Sequence, residues 1–78
     1  MNKLNKAFIL INSSIGSKDS VYEILTKFDF VKQVYKLDGI YDFALQIEEN
    51  NFPSLQKAIA NNIRKIDCIE DSLTMFVM

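Results

Sequence analysis

The sequence predicts an α+β fold: one four-stranded antiparallel sheet with two helices on one of its faces. Three observations lead there. Four short segments have strand length and β-branched or aromatic composition. Two others carry apolar residues at helical spacing. Along the chain they alternate as strand, helix, strand, strand, helix, strand.

The first strand is Lys6 to Ser13, KAFILINS, with Ala7, Ile9 and Ile11 on one face and Phe8 and Leu10 on the other. Both faces are apolar, which marks a central strand covered on both sides. Gly16 then interrupts the pattern, and Ser17 is placed to cap a helix that begins just after it. Val21, Ile24, Leu25 and Phe28 form that helix's apolar stripe. Residues 31 to 37, VKQVYKL, read as a second strand, and Lys32 and Lys36 on one face suit a sheet edge, where charge discourages unwanted pairing. Asp38 and Gly39 are expected to make a tight turn with glycine at positive φ. The next strand spans residues 40 to 48, with Tyr41, Phe43, Leu45 and Ile47 expected to face the helices and Asp42, Ala44 and Gln46 the open face, where a neighbouring subunit would sit. Asn51 is a fitting N-cap and Pro53 is tolerated in a first helical turn. Phe52, Leu55, Ile59, Ile63 and Ile66 then mark a second helix. A last strand runs from about Glu70 to Met78, alternating Leu73, Met75 and Val77 with Thr74, Phe76 and Met78.

This order is the ferredoxin-like, split βαβ arrangement, and right-handed crossovers put the first and third strands side by side at the centre. The sheet face without helices would carry Phe8 and Leu10, together with Phe76 and Met78. An apolar patch of that size marks an interface, and face-to-face dimerisation would cover it.

At 78 residues the chain reads as a single domain, residues 1–78. So short a chain buries only about 60% of the surface its unfolded form exposes. Yet 49% of its residues are hydrophobic, so part of that apolar supply is expected to be buried against another subunit. Nine basic residues are scattered among ten acidic ones, for a net charge of −1, which argues against direct nucleic-acid binding. The apolar run Ala7–Ile11 is too short for a secretion signal or a membrane span, so the expected location is the cytoplasm, without membrane attachment. The single cysteine, Cys68, permits no internal disulfide. With no histidine, and with no second cysteine beside Cys68, the residues support neither catalysis nor a metal site, and no cofactor is expected.

One stretch stands out. In LDGIYDF, residues 37 to 43, a carboxylate lies between two large aromatics, Tyr41 and Phe43. A turn needs Asp38 and Gly39 but not Asp42. Together with the β-α-β-β-α-β order, the GIYD of residues 39–42, the run Asn62-Ile63-Arg64-Lys65-Ile66 and the closing DSLTMFVM, this stretch resembles the ligand-binding domain of the Lrp/AsnC regulators, also called the RAM domain (regulation of amino-acid metabolism). The resemblance spans about Ala7 to Met78. It departs at Asp67-Cys68, where many members have Pro-Gly, and in a last strand with only Ser72 and Thr74 where threonines are usual. Full-length members carry a helix-turn-helix domain before this one, so the chain is similar to a stand-alone form.

The resemblance implies dimers paired through their sheets, assembly of dimers into rings such as octamers, and a small effector, often an amino acid, bound between subunits. Carried over by motif, it implicates Gly39, Tyr41 and Asp42, and on the last strand Ser72 and Thr74. Asp42 could accept charge-assisted hydrogen bonds from an amino acid's ammonium, while backbone N–H groups beside Gly39 donate to its carboxylate. A purely structural reading stands beside this one. In it Gly39 only forms the turn, Tyr41 only fills the core, and Asp42 meets a backbone N–H or a lysine of a neighbouring subunit.

The resulting expectation is a non-enzymatic regulatory module that oligomerises, binds an amino-acid-like effector and modulates a helix-turn-helix regulator of the same family by mixed assembly. A purely structural or partner-binding oligomer without a small ligand is the alternative. A small enzyme of the dimeric α/β-barrel type shares the fold but ordinarily places histidines or other polar groups between helices and sheet.

Overall fold

The computed structural model describes residues 5–77. The elements are β1 (Asn5–Ser13), α1 (Lys18–Thr26), β2 (Val31–Lys36), β3 (Phe43–Glu49), α2 (Phe52–Asn61), a 3₁₀ turn at Ile63–Lys65, and β4 (Ile69–Phe76). The strands form one antiparallel sheet in the order β2-β3-β1-β4, with the helices on one face, so the predicted class and topology hold. Among these residues no helix is long and apolar enough to cross a membrane.

Register explains where the core sits. Ala7, Ile9 and Ile11 of β1 lie opposite Ile47, Leu45 and Phe43 of β3, and all six are buried. Val21 and Leu25 of α1 and Leu55, Ile59 and Ile63 of the second helical segment close over them. On the other face Leu10 lies opposite Leu73 and Phe8 opposite Met75. Phe8, Leu73, Met75, Val77 and Tyr35 are exposed there, forming an apolar surface with no helix over it. Burial of one face only is what an antiparallel sheet with a single helical layer produces.

Several local expectations are corrected. Phe76 does not join the open face: its partner across the ladder is Ala7, on the helical side, and its ring meets Phe52 at 5.0 Å. Met78 lies outside the described residues. In α1 the inner stripe takes Tyr22, 6.2 Å from the Phe43 ring, whereas Ile24 is exposed. The second helix stops at Asn61, and Asn62 turns its side-chain amide back to donate to the Ala58 carbonyl (3.1 Å), so Ile63 reaches the core from a 3₁₀ turn. Asn51 caps this helix as expected, its Oδ1 accepting from the Ser54 N–H at 2.8 Å. Ser17 precedes α1 but caps nothing with its side chain. Its hydroxyl donates to the Ser14 carbonyl at 2.7 Å instead.

The two glycines exchange roles. Gly16 has φ +84°, and the Ser17 N–H donates to the Ser14 carbonyl at 3.0 Å. Residues 14 to 17 therefore make a turn whose third position needs left-handed backbone, as in type II. Gly39 does not have positive φ. The β2–β3 connection is a wider loop, closed where the Leu37 N–H donates to the Asp42 carbonyl at 2.8 Å, and β3 begins at Phe43 rather than residue 40. Gly16→Ala is accordingly expected to destabilise the fold by about 1–2 kcal/mol. Gly39→Ala, whose added methyl group meets nothing within 4 Å, should stay within about 0.5 kcal/mol of the wild type. Urea midpoints of the two variants measure the contrast.

Candidate functional site

Asp42 stands where the loop returns to the sheet, and its backbone is held first. Its N–H donates to the Ile11 carbonyl at 2.9 Å, extending the β1–β3 ladder by one residue beyond the Phe43 pair. Its side chain then reaches the end of β1. The Ser13 N–H and the Ser13 hydroxyl both donate to Asp42 Oδ2, at 2.9 and 3.1 Å. Lys18 Nζ, from the first residue of α1, lies 3.2 Å from Oδ1. The carboxylate thus ties together the end of β1, the start of α1 and the β2–β3 loop.

This corrects the expected direction of the side chain. Asp42 does not point to the open face of the sheet. Ser13 follows Ala7, Ile9 and Ile11 on the helical side and is itself buried, so the carboxylate that reaches its hydroxyl turns towards the start of α1. A backbone N–H and a lysine are indeed its partners, but they belong to its own chain. A cleft of about 90 Å³ opens beside it, bounded by Lys18, Asp19, Lys36, Leu37, Asp42 and Phe43. Lys36 Nζ sits 4.5 Å from the centre of the Tyr22 ring, a cation–π contact at the back of α1.

Of the other implicated residues, Gly39 and Tyr41 share the loop with Asp42. Tyr41 is half-buried and does not belong to the core. The backbone N–H groups of residues 38–41 have no partner among the described residues. Ser72 and Thr74 are not brought to this place. Ser72 lies across β1 from it, opposite Ile11, and both residues look towards the second helical segment. Thr74 lines a cavity of about 230 Å³ with Gln56, Ile59, Ala60, Arg64 and Phe76, and its hydroxyl oxygen is buried without a hydrogen-bond partner. Ser72 borders the adjoining groove with Arg64, Ile69, Glu70 and Asp71. The five residues therefore divide into two places on the molecule, one around Asp42 and one bordered by Arg64. Nothing in the spacing of the sequence singled out Lys18, Ser13 or Arg64, because each meets its neighbours only through tertiary contacts.

Among the described residues no cluster of three or more His, Cys, Asp or Glu side chains is placed to hold a metal ion. The chemistry on offer is recognition of charge. The Ser13 backbone N–H, and after it Lys18 and the Ser13 hydroxyl, lower the Asp42 carboxyl from its ordinary value of 3.8, against partial desolvation. A group whose folded pKa is lowered contributes stability that is present above its unfolded value and lost as pH falls through the folded one. Asp42→Asn should therefore be less stable than the wild type above about pH 5, and the gap should close as the pH is taken down past 3.8. Thermal melts of both proteins along a pH series provide the check.

Comparison with known proteins fits this architecture. The family model for the Lrp/AsnC ligand-binding domain matches residues 6–78. Among solved structures, FFRP-DM1 is 31% identical with a TM-score of 0.91, over 95% of this chain and 99% of its own. The hypothetical protein PHS023 from Pyrococcus horikoshii is also 31% identical, with a TM-score of 0.90 over 95% of this chain and 89% of its own. AsnC of E. coli is 27% identical with a TM-score of 0.87, and the match covers 95% of this chain but 50% of AsnC. A Neisseria meningitidis transcriptional regulator, solved in complex with L-Met, shares the fold at 17% identity and a TM-score of 0.83, over 95% of this chain and 49% of its own. No curated protein sequence matches. With nearly its whole length matched, the chain belongs to the Lrp/AsnC ligand-binding domain family.

Proposed function

We propose that residues 1–78 act as a single non-enzymatic regulatory unit that oligomerises and binds a small effector of the amino-acid class between subunits. The observation that carries this reading is the Asp42 carboxylate. It is held ionised at the mouth of a cleft and stands next to a loop whose N–H groups, from 38 to 41, are free to donate. An amino acid presents the complementary pair of charges, an ammonium for Asp42 and a carboxylate for the loop around Gly39 and Tyr41. Family membership and the L-Met complex of the Neisseria regulator support the choice of ligand class. Ser72 and Thr74 would contribute from a second subunit, and the unpartnered Thr74 hydroxyl is a group that such a contact would satisfy.

The exposed apolar face supports the oligomer. Phe8, Leu10, Leu73, Met75 and Val77 form a continuous surface that a second sheet would cover, giving a homodimer from which an octamer-like ring could be built. Mixed assembly with a related helix-turn-helix regulator would use the same face, with no direct nucleic-acid contact by this domain. This reading carries a cytoplasmic location with it.

Two measurements test the proposal. In a thermal-shift screen against the twenty amino acids, at least one should raise the melting temperature of the wild type but not that of Asp42→Ala. If none discriminates between them, the effector role is wrong and a structural or partner-binding oligomer is left. In light scattering at micromolar concentration the wild type should be dimeric or larger. Leu73→Glu, which puts a charge on the open face, should be monomeric. A monomeric wild type would overturn the assembly.

A further inference from the structure

The cleft beside Asp42 is smaller than a whole ligand site, and a charged side chain of the protein itself forms part of its wall. Small-molecule sites usually measure about 300–1,000 Å³, whereas this cleft holds about 90 Å³. One of its walls is Lys18, whose ammonium lies 3.2 Å from Asp42 Oδ1. A primary ammonium against that oxygen is the contact that an amino acid's own ammonium would make.

We infer that Lys18 is a tethered competitor for Asp42, occupying the ammonium position of the proposed effector and leaving it when the effector binds. The inference rests on the effector reading given above and adds the residue that regulates it.

Three observations show which partner moves. The Lys18 side chain is 60% exposed and the Asp42 side chain 19%. Asp42 is anchored by two hydrogen bonds from Ser13 as well as by its backbone, while Lys18 Nζ has Asp42 as its sole salt-bridge partner among the described residues. Lys18 also occupies the first position of α1, the end at which the helix dipole disfavours a cation. The lysine therefore stands in an unfavourable field, is compensated by one carboxylate, and can return to water at small cost. Moving it out would open the cleft beside Leu37, whose exposed side chain offers an apolar surface to a ligand side chain.

A competitor of this kind weakens ligand binding by the strength of the contact it makes. Exposed ion pairs are weak, so the expected effect is about two- to five-fold in Kd. Isothermal titration of the wild type, Lys18→Met and Lys18→Arg against each of the twenty L-amino acids measures it. Lys18→Met keeps the length of the chain and removes the charge. It should bind the same amino acids as the wild type but about two- to five-fold more tightly, and Lys18→Arg should match the wild type. Equal or weaker binding by Lys18→Met, with the wild type still binding, overturns the competitor role and leaves the effector reading standing. If neither protein binds any of the twenty, the effector reading fails and the competitor role fails with it. A loss of folding in Lys18→Met would lower affinity rather than raise it, so tighter binding cannot arise from a merely structural role.

Discussion

The fold is organised by the position of β1. It is the one segment that is apolar on both faces, and it is hydrogen-bonded along both edges, to β3 on one side and β4 on the other. Ala7, Ile9 and Ile11 require a cover and receive it from the two helical segments. Phe8 and Leu10 require one as well, but all the helical residues lie on the far side. A central strand with two apolar faces in a sheet with one helical layer is a mismatch that a single copy of the chain does not resolve. The core and the exposed face are two consequences of the same nine residues.

The end of β1 carries the second constraint. Ser13 is buried, and its N–H and hydroxyl need acceptors. Asp42 supplies one oxygen to both. Any loop conformation that carried Asp42 away would strand those two donors, so the loop bearing the family motif is registered against the sheet by hydrogen bonding rather than by packing. The same carboxylate that completes the accounting for β1 keeps its other oxygen directed at solvent and Lys18. One side chain thus carries both the closure of β1 and the ion pair with the start of α1.

The elements and their order were legible because apolar periodicity reports which face is buried, and β1, β3 and α2 have strong patterns. Legibility failed where the outcome depends on side-chain reach. Tyr22 and Ile24 both border the stripe of α1, and only the position of the Phe43 ring decides that the tyrosine turns inward. Phe76 and Leu73 differ by parity, and parity assigns a face only once the register with β1 is known. Gly39 follows an aspartate as hairpin glycines often do, but the loop around it is long enough that no residue needs the left-handed region. Gly16, in a plain-looking SSIGS, sits in a turn so short that one residue does. Asp42 showed by its placement that it needed partners, but a linear sequence does not reveal that Ser13 and Lys18 are within reach.

The pairing of β1 with β4 also sets an order of events during folding. Ser14 and Cys68, 54 positions apart, are joined by a side-chain hydrogen bond at the point where these strands meet. The central strand is made first and its second neighbour last. Until the ribosome has released β4, β1 presents one bare edge with two apolar faces, a form suited to pairing with any extended chain nearby. Local turns and helices can form early, but the sheet is completed by its most distant contact, and such closures are slow because loop entropy is lost before the contact repays it. For this small domain the exposed interval follows from strand order.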